Sequence, residues 1–169
     1  MMKTIFENWK AYIHEAKIGQ NVGPDDKVFL TSKEYNGFQS VSQEEPHMTN
    51  PKPNGLWYAC GKEWLKFGVK GGTYLYKIDI DYSKMLRITQ KDVKKFEKEF
   101  GTSQEGVPLV LIDWKKVAQK YSGIEICPYM PKIRDHYWYY GWDVASGCIW
   151  EASAIKDVTL IDNTTPSKK

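Results

Sequence analysis

The ten residues GTYLYKIDID, 72–81, alternate with a period of two and place Tyr74, Tyr76, Ile78 and Ile80 on one face. That period fits a half-buried β-strand and no helix. A strand needs neighbours to complete its hydrogen bonds, and the chain offers several. KVFLTS (27–32), GLWYAC (55–60), the short piece MLRI (85–88), the apolar run VPLVLI (107–112) and GIEIC (123–127) all have strand length and composition. Two or three further β-like runs lie within HYWYYGWDVASGCIWEASAIKDVTLID, 136–162, which contains no convincing helix.

Helical spacing is confined to four places. Ile5, Trp9, Tyr12, Ile13 and Ala16 predict an amphipathic helix over 4–18, with Gly19 at its end. GKEWLKFG (61–68) reads as a short helix bounded by glycines. Thr89 and Asp92 resemble a capping box ahead of KDVKKFEKEF, and Asp113 can cap WKKVAQKY. Interleaved Glu and Asp make the former a solvated helix face rather than a basic stripe. Residues 33–54 are rich in Pro, Asn, Ser and Glu without a sustained period, which predicts a long surface loop. This order of elements predicts an α+β domain over residues 1–162, followed by a disordered tail at 163–169.

Several function classes are excluded or disfavoured. No apolar run approaches the roughly 20 residues of a membrane helix, and a net charge of +3 is too small to imply nucleic-acid binding. The first residues lack the apolar core of a secretory signal and carry Glu7 and Glu15, so an intracellular location is expected. Cys60, Cys127 and Cys148 are widely spaced and odd in number, which predicts free thiols and neither a disulfide framework nor a metal site. A triad of Cys127 or Cys148 with His136 has no support in the spacing. His14, His47 and His136 lie far apart, and structural roles are expected for them. The local signatures of P-loop, dinucleotide-fingerprint, serine-hydrolase and zinc-protease sites are absent.

Aromatic residues make up 14% of the chain, and Trp57, Tyr58, Trp64 and Phe67 follow one Pro-Asn-Gly turn in KPNGLWYACGKEWLKFG, 52–68. Such rings pack a core or wall a slot for a flat ligand. In order and spacing, KVFLTS, GLWYA and WDVASGCIWEASAIKDVTL resemble the three strand motifs of the ADP-ribosyltransferase superfamily, the fold of poly(ADP-ribose) polymerases and many mono-ADP-ribosyl toxins. The best match is the middle segment. The polymerase motif Gly-Ile-Tyr-Phe-Ala, followed by a short helix and a strand, corresponds to Gly55-Leu56-Trp57-Tyr58-Ala59 followed by GKEWLKF and TYLYKIDID.

The resemblance implies two small, mainly antiparallel sheets forming an NAD-binding cleft with flanking helices. It implies a transferase that needs no metal, releases nicotinamide and passes ADP-ribose to a macromolecular acceptor, protein or nucleic acid. Trp57, Tyr58, Trp64 and Phe67 would belong to the nicotinamide slot, and Thr31 and Ser32 would contact the dinucleotide. The family carries a His or Arg on the first strand, where this chain has only Leu30, Thr31 and Ser32. Its catalytic glutamate lies near the start of a late strand; Glu151 is the obvious carboxylate and Asp143 a competing one. The alternatives are an inactive nucleotide- or nucleic-acid-binding module of the same fold, and an RNA 2′-phosphate transferase, which the scarcity of arginines (Arg87 and Arg134) disfavours.

Overall fold

A computed structural model describes residues 18–67, 73–103 and 109–164; the helix expected over 4–18 falls almost entirely outside them. The strands are β1 (Lys27–Thr31), β2 (Leu56–Cys60), β3 (Tyr74–Ile80), β4 (Met85–Arg87), β5 (Gly101–Ser103), β6 (Val110–Ile112), β7 (Gly123–Ile126), β8 (Ser146–Ile149) and β9 (Ile155–Asn163). Among the described residues, the α-helices α1 (Val93–Phe100) and α2 (Trp114–Ala118) lie between them, with short 3-10 turns at Trp64–Phe67, Tyr82–Lys84, Pro131–Ile133 and Ala152–Ala154.

The strands form one seven-stranded sheet in the order β4-β7-β8-β2-β1-β3-β9, and β5 pairs with β6 in a separate ribbon. The α+β class follows as expected. Two small sheets do not: most strands join a single sheet, antiparallel except where β4 runs parallel to β7. The long alternating strand β3 explains this, because it has a neighbour on each side, β1 and the nine-residue β9. Asn163, assigned above to the tail, pairs with Tyr74 as the end of β9.

Both faces of the sheet are covered. On one, α1 presents Val93, Phe96 and Phe100 at helical spacing to Trp114, Trp138 and Trp150, in a core that also takes Ile124, Ile126 and Cys148. On the other, Phe29, Tyr58, Tyr76, Ile78 and Ile80 pack with Tyr35 and Phe38 of the long loop. Leu75, out of phase with the tyrosine face of β3, is nonetheless fully buried, because Ile18, Val22 and Val28 cover it. The 33–54 segment has no regular structure, as expected, and is fastened by backbone pairing of Val41 to Trp150 and by reciprocal bonds between the Gln43 amide and the Asn54 backbone.

Candidate functional site

Of the three segments that carry the family resemblance, the first two become β1 and β2 and the third supplies β8 beside β2 and most of β9, which lies at the sheet edge beyond β3. Beside β2 and β8 is a cleft of about 200 Å³ lined by Lys52, Trp57, Trp64, Gly141, Trp142, Asp143, Val144 and Ser146. Trp57 meets Trp142 edge-on with centroids 4.8 Å apart, and Trp142 stacks on Tyr139 at 5.8 Å. The indole of Trp142 is thereby fixed and buried, yet its Nε1–H has no acceptor. A buried donor left unpaired costs about 1–3 kcal/mol, so a movement of the ring that brings this edge to an acceptor is favoured.

Two charges frame this cleft. The Lys52 ammonium sits over the Trp57 ring, 5.1 Å from its centroid, as the negative face of an indole favours. Asp143, exposed in the irregular segment that leads into β8, supplies a carboxylate. Ser146, the first residue of β8, is buried and donates its hydroxyl to the carbonyl of Val144 at 3.0 Å.

The expected site residues are thus only partly brought together. Trp57, Trp64 and Asp143 share the cleft. Glu151 lies beyond the end of β8 and lines a separate open groove with Ser40, Gln43, Lys115 and Gln119. Thr31 ends β1 and turns its hydroxyl to the carbonyl of Lys33, Ser32 is exposed beside it, and neither lines the cleft. Phe67 is 71% exposed. Tyr58 points away from Trp57, as successive residues of a strand must, and is buried on the other face of the sheet.

There it joins a cluster that residue spacing did not reveal. Glu125, in the centre of β7 and 2% exposed, accepts hydrogen bonds on Oε2 from the hydroxyls of Tyr58 (2.9 Å) and Tyr82 (2.7 Å). Lys27 Nζ lies 3.6 Å from the same oxygen, and Arg87 Nε lies 3.5 Å from Oε1. Gly147 of β8 pairs with both Tyr58 and Glu125, and a Cβ there would collide with the Tyr58 ring. Its missing side chain is what lets Tyr58 reach across β8 to the carboxylate.

Burial, and then the Glu125 charge, push the Tyr58 hydroxyl well above the usual phenol range; Tyr82 is raised for the same reasons. Burial pushes Tyr139 up to about 12. These groups stabilise the fold fully below the unfolded phenol value of about 10, and that contribution is lost as pH rises from there towards the folded values. Tyr58 alone is expected to remove ~1.4 kcal/mol per pH unit above about pH 10. Urea midpoints at pH 8 and pH 11 check this: a large fall is expected, and equal midpoints contradict it.

The expectation of three free thiols is corrected. Cys60 and Cys127 form a disulfide with Cα atoms 6.5 Å apart, leaving Cys148 as a free, buried cysteine. The reason lies in the sheet order. β2 and β7 flank β8; Cys60 ends β2 and Cys127 directly follows β7, each one position beyond the residue paired with Ser146, so cysteines 67 positions apart in sequence meet beyond the strand between them. Cys60, Glu125 and Cys127 offer ligand atoms within 4.8 Å of one another, but bonded sulfurs lack the thiolate charge that metal binding requires.

His136 and Trp138 both bond to Glu97 Oε1 of α1, at 2.5 and 2.7 Å, and His47 bonds to Thr49 within a loop turn, so both imidazoles have local structural partners. No described helix is long and apolar enough to cross a membrane. Comparison of the chain with protein-family models, with curated proteins and with solved structures finds no match.

Proposed function

We propose that the chain is an ADP-ribosyltransferase-like domain that takes the nicotinamide end of NAD into the cleft between Trp57, Trp64 and Trp142. The observation that carries this reading is the aromatic wall of Trp57, Trp64 and Trp142, whose last member has a buried Nε1–H without a partner that gains an acceptor if the ring shifts on binding. A planar ring bearing a carbonyl acceptor satisfies both features, and a carboxamide on a pyridinium is such a ring. The cleft is smaller than the roughly 300–1,000 Å³ of pockets that enclose a drug-sized ligand, so it takes the ring end and leaves the rest of the dinucleotide outside. The Lys52 ammonium over Trp57 supports the attraction of this ring face for a cation, and the pyridinium takes that place by displacing it. The side-by-side placement of β1, β2 and β8, one strand from each motif segment, supports the family reading.

In this reading Asp143 takes the carboxylate role. The bond between the ribose C1′ and the nicotinamide nitrogen breaks, its electron pair leaves with nicotinamide, and positive charge develops on the ribose. Asp143 is exposed in the free protein, and its carboxylate stabilises that charge once the bound dinucleotide excludes water from it. A nucleophile on the macromolecular acceptor then bonds to C1′. A second reading, an NAD-binding module without turnover, is favoured by one observation: the first residue of β8 is Ser146, a hydroxyl where the family carries its glutamate.

The binding part of the proposal is tested with Trp142→Phe, which removes the donor together with part of a buried, ring-packed indole. Apo stability is expected to fall by about 1–3 kcal/mol from the space left behind, and NAD affinity of the folded variant to fall about two- to tenfold. Urea titration of the free protein and calorimetry with NAD measure the two effects. Unchanged NAD affinity in the folded variant contradicts the assignment.

A further inference from the structure

We propose that the Cys60–Cys127 disulfide is a site of exchange with low-molecular-weight monothiols, which attack Cys127 and expel Cys60 as a thiolate held by Lys27. Two independent asymmetries support this direction. Cys127 is partly exposed and is followed by the exposed Pro128, whereas Cys60 is 8% exposed. Cys127 is therefore the more exposed half of the bond. Lys27 Nζ lies 3.3 Å from Cys60 Sγ, so a cation is already placed on the sulfur that must carry the departing charge. Exchange is faster when the leaving thiol has the lower pKa, and an adjacent lysine lowers a thiol pKa.

Glu125 is the opposing charge near both sulfurs. Its carboxylate is engaged by the Tyr58 and Tyr82 hydroxyls and by Arg87 as well as by Lys27, which leaves the ammonium free to serve the sulfur it is nearer to. Cys148 does not compete, being fully buried among the tryptophans on the other side of the sheet. Reversibility also reconciles the disulfide with the intracellular location expected from the sequence, because intracellular disulfides are mostly transient or redox-sensing.

The step balances. A thiolate electron pair forms the new bond to Cys127 Sγ, the old S–S bond breaks, and its pair moves to Cys60. A second monothiol attacks the mixed disulfide at the sulfur of the first, releases Cys127 as a thiolate, and leaves the small thiol as its oxidised dimer.

The test uses the full oxidised chain in native buffer. A brief pulse of reduced glutathione is quenched in acid, free thiols are alkylated, and the adducts are located by peptide mass spectrometry. Glutathione is expected on Cys127 and the alkyl group on Cys60, with Cys148 unreacted. Lys27→Met is expected to slow the pulse reaction by about three- to tenfold, and Lys27→Arg to restore most of the rate. Glutathione placed mainly on Cys60, or equally on both, overturns the assignment. So does an absence of reaction until denaturant is added, which marks a purely structural bridge. The wild-type map stands without the variants, so a misfolded Lys27→Met leaves the result decisive.

Discussion

Replacing Glu125 by alanine is expected to lower the unfolding free energy by about 3–5 kcal/mol, the range for breaking a buried ionic cluster from one side. The carboxylate is the shared acceptor of two tyrosine hydroxyls and the counter-charge of Lys27 and Arg87. Its removal leaves the Tyr58 hydroxyl, with no solvent exposure, without an acceptor, and an ammonium without its partner. For a chain of this size the loss corresponds to roughly 6–20 °C in Tm. Glu125→Gln keeps an acceptor oxygen and loses only the charge, so it is expected to cost less. Glu125→Leu combined with Tyr58→Phe and Tyr82→Phe removes donors and acceptor together and is expected to recover part of the alanine loss, because the penalty lies in unpaired groups more than in absent bonds. Thermal and urea unfolding of the series measure these differences. An alanine variant as stable as the wild type shows that the cluster contributes nothing to stability.

The second large effect concerns chemistry in the cleft. Asp143→Asn is expected to reduce nicotinamide release from NAD by about a hundredfold, the scale on which loss of a single electrostatic stabiliser acts. The amide has nearly the same shape, so NAD-induced thermal stabilisation is expected to persist. Glu151→Gln is the matched control. Glu151 lines another groove and shares no wall with Trp57, so nicotinamide release is expected to continue at the wild-type rate. Release that survives Asp143→Asn but fails in Glu151→Gln overturns the role given to Asp143. A wild-type chain that binds NAD and releases no nicotinamide decides for the module without turnover.

Much of the fold was legible because it rests on local periodicity. The alternation in GTYLYKIDID marks β3, the apolar triplet of KDVKKFEKEF marks α1, and Asp113 caps α2 through its bond to the Lys116 backbone. Thr89 and Asp92 also meet as their spacing implies, the carboxylate accepting from both the backbone N–H and the hydroxyl of Thr89. The gathering of strands into one sheet was not legible, since pairings such as β7 with β8 depend on which edges meet in space.

The cleft was half legible for the same reason. Lys52, Trp57 and Trp64 share one stretch, 52–68, whereas Trp142, Asp143 and Ser146 come to them from another segment. Glu125 carries a faint signal, a charged residue between two isoleucines in a short apolar run. Its partners Lys27, Tyr58, Tyr82 and Arg87 lie 38 to 98 positions away, and no spacing rule joins them. Glu151 lies apart from the cleft because the late strand ends at Ile149, two residues before it, a boundary that WDVASGCIWEASAIKDVTL does not reveal.

The nuclear magnetic resonance signal of the Trp142 indole N–H reports on the central claim most directly, because that proton lacks a partner in the free protein. On titration with NAD it is predicted to move progressively in the direction of stronger hydrogen bonding and to saturate, with the Trp57 and Trp64 indole signals shifting over the same range. A Trp142 signal that stays in place while NAD is raised to saturating concentration, or that moves only when the chain unfolds, contradicts the account.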